Sequence, residues 1–226
     1  MPKFSVIVGA YRHEKTIGKL IESLKEQTFQ DFEVIFADDG SDDLTLANIL
    51  AYAPEWKYVT QRNKGMRLAK SLNNALRLAK GQYCLLVMGD SFLERDYLEI
   101  LAEWVKPERI VNGIRIHVDN GVGVDVDYRL KKNYIPPDNV VLPVRPWQVT
   151  TGNGLCIPTR AFKLHGYLDE DFEGYGGEDN EIIARLYFKG FTVWSVPLLK
   201  LYHQHHTEKE PVSGNLFAKK LLAYAS

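Results

Sequence analysis

The sequence predicts an α/β fold: a mostly parallel, doubly wound central sheet with helices on both faces, followed by an irregular carboxyl-terminal part. Two observations predict it. Over residues 1–118, short apolar runs rich in β-branched residues alternate with stretches whose apolar residues recur at helical spacing. The runs are continuous rather than alternating, as expected of strands buried on both faces. Beyond residue 118 the alternation lapses into a Gly- and Pro-containing excursion over 119–150.

The elements follow in order. Phe4 to Val8 reads as the first strand, and Ile17, Leu20, Ile21 and Leu24 then mark a helix. Phe32 to Ala37 is a second strand ending in the turn-forming Asp38-Asp39-Gly40-Ser41. A short helix through Leu46, Ile49 and Leu50 and a strand at Tyr58 to Thr60 come next. Leu68, Leu72, Ala75, Leu76 and Ala79 form a helical stripe stopped by Gly81. Tyr83 to Met88 is a strand ending in Gly89-Asp90-Ser91, followed by a helix through Leu98, Leu101, Ala102 and Val105 and a strand from Ile110 to Val118. Residues 119–150 read as an irregular excursion or a pair of edge strands. Order returns with a short helix from Thr159, a helix through Ile182, Ile183 and Leu186 after the Gly-rich 174–177 stretch, and a strand from Thr192 to Val196 before a turn at Pro197.

Composition bounds the function. Hydrophobic residues at 45% and charged residues at 25% are those of a globular chain, which excludes fibrous and low-complexity classes. Lys and Arg total 28 against 29 for Asp and Glu, so no broad basic field exists for nucleic acid. Cys84 and Cys156 each lie in an apolar run, which predicts buried thiols in a reducing, cytoplasmic setting. No signal-peptide core and no window of ~20 apolar residues occurs, so the chain is expected to be soluble.

In a parallel sheet ligands bind beyond the carboxyl ends of the strands. Those ends carry Ala10-Tyr11-Arg12, Asp38-Asp39 and Asp90. Neither a dinucleotide G-x-G-x-x-G nor a P-loop is present, so a divalent cation held by Asp90 is the expected means of neutralising a phosphorylated ligand. Asp after a strand is also an ordinary turn or cap residue, the preferred reading for Asp38. Gly176-Gly177-Glu178-Asp179-Asn180-Glu181 leads into a helix. The helix dipole accounts for Glu178 and Glu181, while the glycines suit presentation of Asp179 as a general base for an acceptor hydroxyl. His203-Gln204-His205-His206 supplies imidazoles that would complete, with Asp90, a set suited to Mn²⁺. Trp147 and Tyr175, in polar Gly- or Pro-rich surroundings, are the candidates for stacking on a sugar.

These residues carry a resemblance across nearly the whole chain. Phe4-Ser5-Val6-Ile7-Val8 with Ala10-Tyr11-Arg12, Gln27-Thr28-Phe29, Asp38-Asp39-Gly40-Ser41 and the Asn63-Lys64-Gly65 to Asn73-Asn74-Ala75 block resemble a family 2 glycosyltransferase. The part around Tyr175-Gly176-Gly177-Glu178-Asp179 is similar to the W-G-G-E-D block of galactosyltransferase-like enzymes. The resemblance implies a GT-A type, Rossmann-like fold in one domain, with a nucleotide-sugar part over 1–118 and an acceptor and catalytic-base part over 119–226. It implies that Ala10, Tyr11, Arg12, Asp39, Arg67 and Asp90 bind a UDP-sugar. Asp179 would be the catalytic base, with Trp147, Tyr175, Gly177 and Glu178 at the acceptor. Asp90, His206 and His203 would hold Mn²⁺ or Mg²⁺. Gly89-Asp90-Ser91 departs from the family's D-x-D by retaining one carboxylate.

The expected reaction is inverting transfer of a hexose or N-acetylhexosamine from a UDP-sugar to a glycan or other hydroxyl-bearing acceptor. A catalytically weak nucleotide- or glycan-binding module and a metal-dependent nucleotidyltransferase are the alternatives. The stretch with Phe217, Lys219, Lys220, Leu221 and Leu222 is expected to pack on the domain, with a membrane or partner contact as its alternative.

Overall fold

The computed structural model describes residues 1–119, 122–126, 145–204 and 214–225. The first half supplies β1 (Phe4–Ala10), α1 (Ile17–Lys25), β2 (Phe32–Asp38), α2 (Thr45–Tyr52), β3 (Lys57–Thr60), α3 (Leu68–Leu76), β4 (Tyr83–Met88), β5 (Ser91–Leu93) and α4 (Tyr97–Trp104). The second half adds β6 (Arg109–Asp119), β7 (Val122–Val126), a 3-10 turn (Pro146–Gln148), β8 (Leu155–Pro158), α5 (Thr159–His165), α6 (Glu178–Phe188), β9 (Thr192–Gln204) and α7 (Gly214–Ala225).

A single sheet takes the order β3-β2-β1-β4-β8-β6-β9-β5, with β7 paired to the far end of β6. Strands β1, β2, β3, β4, β6 and β9 share one direction, and β5, β7 and β8 oppose it. All three reversed strands follow β4 in the chain, and two of them, β7 and β8, lie beyond residue 118, where the sequence alternation lapses. Neighbouring residues of β1 face opposite ways, as the pleat requires. Ile7 joins a core with Ile35, Leu72, Leu86, Ile157, Phe162 and Ile182, while Val6 and Val8 join another with Leu20, Leu24, Phe36, Leu85 and Leu98. Helices α3, α5 and α6 therefore cover one face, and α1, α2 and α4 the other.

Three elements differ from expectation. The short strand β5 intervenes between Asp90 and α4. Strand β8 was not expected, because four apolar residues ending at a proline carry no periodicity of their own. The third difference is at Pro197, where β9 runs on instead of turning. Asn112 pairs with Ser195 and Ile114 with Lys200, so a bulge of Val196–Leu199 sits opposite Gly113 and absorbs the proline's missing donor. Only glycine fits there, because a Cβ on Gly113 would lie 2.3 Å from the Leu199 carbonyl oxygen. His203 is consequently a strand residue rather than part of a loop.

Helix α7 docks on the domain. Phe217, Leu221 and Tyr224 pack on the core, Lys220 pairs with Asp169 and Asp171, and the Tyr224 hydroxyl donates to Glu181. Its apolar side is thus occupied, which leaves the membrane- or partner-facing alternative without support. No helix among the described residues is long and apolar enough to cross a membrane. Both cysteines are free and buried, and burial pushes the Cys84 thiol up to about 12.

Candidate active site

The carboxyl ends of β1, β2 and β4 lie side by side, and one buried residue at the end of β2, Asp39, ties together the segments that follow β1, β2 and β3. Asp39, 3% exposed, donates its own N–H to the Ala10 carbonyl at 2.9 Å. Its Oδ1 accepts from Gln61 Nε2 at 2.5 Å, and its Oδ2 from the Arg67 N–H at 2.7 Å. A carboxylate has about four acceptor directions, so Asp39 keeps capacity for a ligand. Asp38 instead works inward, accepting from the Gly40 N–H, the Ser41 N–H and the Thr60 hydroxyl, which makes it the turn residue expected.

Tyr11 and Arg12 line the mouth of this corner. Asn63 donates to the Tyr11 hydroxyl at 3.1 Å, and the Arg12 guanidinium lies over the Tyr11 ring. Arg12 is also forked onto Asp42 at 2.6 Å for both contacts. That pair is exposed, the hydrogen bonds holding Asp42 below the usual carboxylate range and Arg12 above its own.

Asp90 lies just beyond β4. Its Oδ2 is 3.2 Å from His203 Nε2 and 3.7 Å from His13 Nε2, and its Oδ1 accepts from the Ser91 hydroxyl at 3.3 Å. Strand pairing sets this arrangement: Ser91, His203 and His117 stand in register across β5, β9 and β6. His203 Nδ1 faces His117 Nδ1 at 3.3 Å, so one imidazole donates to the other and fixes its ring. A carboxylate beside imidazole nitrogen is a donor set that suits Mn²⁺. Among the described residues, however, no group of three or more such side chains is arranged to hold a metal. His205 and His206 lie outside the described residues.

Asp179 occupies the first turn of α6. The backbone enters that helix through Gly176 at φ 80° and Gly177 at φ 104°, left-handed values that favour glycine. The Asp179 Oδ2 accepts from the Gly152 N–H and the Oδ1 from the Asn180 N–H, each at 2.8 Å. Tyr175 and Glu178 are half-buried beside it. The glycine loop reaches the nucleotide-side corner, because the Gly174 N–H donates to the Met66 carbonyl at 2.9 Å, next to Arg67.

Trp147 requires correction. Expected where burial needs are low, it is 4% exposed and packs on Tyr187 and Phe188, so its ring is core rather than a platform open to a sugar. Proline-rich sequence around it suggested exposure, but the apolar face of α6 covers it. Glu181 is structural, fully buried and held by Arg185 at 2.8 Å. The residues missed by sequence reasoning are His13, His117, Gln61 and the 150–154 loop. His13 and His117 are isolated in sequence, and only the β1–α1 loop brings His13 to Asp90 and only strand register brings His117 to His203. A cavity of about 820 Å³ lies at the opposite, amino end of the sheet, between Lys80, Tyr83, Pro107 and Lys163, away from all of these groups.

Comparison with known proteins gives the family and the fold. The family model "Glycosyl transferase family 2" matches residues 5–164, and "N-terminal domain of galactosyltransferase" matches residues 138–209. The chain is 28% identical to the chondroitin synthase of Escherichia coli, over 96% of this chain and 37% of that protein. It is 27% identical to the validoxylamine A glucosyltransferase of Streptomyces hygroscopicus subsp. limoneus, over 84% of this chain and 49% of that protein. It therefore spans at most half the length of either relative. The structure of Staphylococcus aureus TarS residues 1–349 in complex with UDP superposes with a TM-score of 0.77 at 23% identity, over 98% of this chain and 65% of that one. The complex of the same protein with UDP-GlcNAc gives 0.75 at 24% identity, over 99% of this chain and 65% of that one. The fold is thus the GT-A type expected, and with a family model covering more than half of its length the chain belongs to glycosyl transferase family 2.

Proposed function

We propose that the chain is an inverting glycosyltransferase that moves a hexose or N-acetylhexosamine from a UDP-sugar to an acceptor hydroxyl, with Asp179 as the base. The observation that carries the reading is the setting of Asp179. Both its oxygens accept backbone N–H bonds at a helix amino terminus, while the adjoining glycine loop is tied to the strand-end corner that holds Asp39. An alcohol is a poor nucleophile until a base takes its proton, and a carboxylate fixed in orientation does so without reorganising. One displacement with one base inverts the anomeric centre.

Residues 1–118 form the donor part and 119–226 the acceptor and base part. Asp39, with Ala10, Tyr11, Arg12 and Arg67 around it, takes the uridine. TarS, bound to UDP and to UDP-GlcNAc in the superposed structures, supports the choice of a uridine donor. Asp90 and His203, with His206, would hold Mn²⁺ or Mg²⁺, which when bound offsets charge on the departing diphosphate. Tyr175, Gly177 and Glu178 face a glycan acceptor. The buried free thiols fit a cytoplasmic location.

A thermal-shift panel of UDP- and GDP-sugars, with and without Mn²⁺, tests the reading, because a ligand that binds only the folded chain raises its melting temperature. One UDP-sugar should stabilise the chain and then release UDP in the presence of acceptor. Release of pyrophosphate from UTP supplied with a sugar 1-phosphate, and no UDP from any UDP-sugar, would instead mark a nucleotidyltransferase, and binding with no turnover would mark a non-catalytic module.

A further inference from the structure

The loop from Thr150 to Gly154 links the two halves of the candidate site, and nothing yet gives it a role. It is buried, with Thr150, Thr151 and Asn153 at 1%, 4% and 6% exposure. Asn112 of β6 holds it from one side, donating to the Thr151 and Gly154 carbonyls and accepting from the Thr151 N–H. Strand β4 holds it from the other, the Leu86 carbonyl accepting from the Gly154 N–H at 2.8 Å.

Two neighbouring residues reach out from this fixed scaffold. The Gly152 N–H donates to Asp179 Oδ2 at 2.8 Å. Asn153 Oδ1 accepts from the Met88 N–H at 3.0 Å, and its Nδ2 donates to Ser91 Oγ at 2.7 Å. The direction of the second contact follows from the first. A backbone N–H can only donate, so the amide oxygen must face Met88 and the NH₂ must face Ser91. Ser91 Oγ is then the acceptor, and its proton is left for Asp90 Oδ1, 3.3 Å away.

We infer that Asn153 is a positioning residue. The direction of its hydrogen bonds orients the Asp90 carboxylate through Ser91, and the adjacent Gly152 amide ties that orientation to Asp179. The inference rests on the proposed donor and base roles of Asp90 and Asp179. Loop movement would then displace the donor-side carboxylate and the base together.

The test compares Ser91→Ala, Asn153→Asp, their double variant and Asn153→Ala with the wild-type chain. Asn153→Asp keeps the side chain's shape and its bond to Met88 but offers Ser91 an acceptor, so the hydroxyl turns away from Asp90. With Mn²⁺ present, Ser91→Ala and Asn153→Asp should each weaken UDP binding, read by calorimetry, by about 10-fold, the worth of a hydrogen bond to a charged group. The double variant should be no weaker than the worse single one, because both break one relay. Asn153→Ala should lower kcat further than Ser91→Ala does, because it alone also loosens the loop that carries the Gly152 amide to Asp179. Wild-type UDP affinity in Asn153→Asp, or penalties that multiply in the double variant, would overturn the inference. A crystal structure of Asn153→Asp provides a readout independent of any sugar nucleotide: the Ser91 to Asp90 contact should be lost, and its retention would overturn the inference even if the chain uses another donor. Failure of wild type to bind any nucleotide-sugar would instead count against the proposed function.

Discussion

Replacing Asp179 by Asn removes the base while keeping its outline, and the structure predicts two separable effects. Loss of a general base costs ~10²–10⁴ in rate, which at ~1.36 kcal/mol per decade is about 2.7–5.4 kcal/mol of transition-state stabilisation. The second effect is on folding. Both Asp179 oxygens accept N–H bonds, from Gly152 and Asn180, whereas an amide has one oxygen and one NH₂. One of the two N–H groups must then face another donor. In this half-buried site that costs about 1 kcal/mol, the low end for an unsatisfied donor. A chain of this size loses ~2–4 °C of Tm for each kcal/mol. The assay is UDP release with saturating UDP-sugar, Mn²⁺ and acceptor, well below the melting temperature, beside a thermal melt of the same sample. The prediction is a kcat lowered by ~10²-fold or more with a Tm within a few degrees of wild type. Near-full turnover in a folded variant would refute Asp179 as base.

Other consequences concern stability. Trp147→Ala should lower the urea midpoint by the equivalent of about 3–5 kcal/mol, the usual cost of deleting a buried tryptophan, because its ring is core; a midpoint near wild type, with acceptor KM alone raised, would return Trp147 to the sugar. Glu181→Ala strands Arg185 and deletes the acceptor of the Tyr224 hydroxyl, and stranding a buried charge costs about 3–5 kcal/mol. Limited proteolysis should then cut α7 free first, and unchanged protection of α7 would contradict its docking. Glu33 is pushed up by burial, but hydrogen bonds from Lys57, the Lys80 N–H and Ser5 outweigh that and hold it below its ordinary 4.5. Its contribution is therefore complete above pH 4.5 and is lost as pH falls through the lowered folded value. Denaturant titrations across that range should fall less steeply for Glu33→Gln than for wild type; parallel curves would exclude Glu33.

Much of the donor half was legible because its information is local. Strands β1, β2 and β4 are largely apolar runs closed by turn chemistry, and the carboxylates sit where those runs stop. Asp39 and Asp90 could thus be singled out without knowing the sheet order. The acceptor half was less legible because its order depends on pairing. Strand β8 is held by β4 and β6 on either side, and β9 survives Pro197 only because Gly113 leaves room for the bulge. His117 and Asn153 have no sequence signal of their own. Their positions follow from register and from a loop fixed by Asn112. Trp147 was misread because polar and proline-rich neighbours in sequence say little about which helix covers a ring.

The most direct test of the central claim is a crystal structure of the chain with UDP and Mn²⁺. Uracil and ribose should lie against Asp39 between Tyr11 and Arg67, with the diphosphate directed to Asp90 and the Asp179 carboxylate open toward the β-phosphate side. UDP seated elsewhere, for example in the cavity between Lys80 and Lys163, with Asp39 and Asp90 untouched, would contradict it.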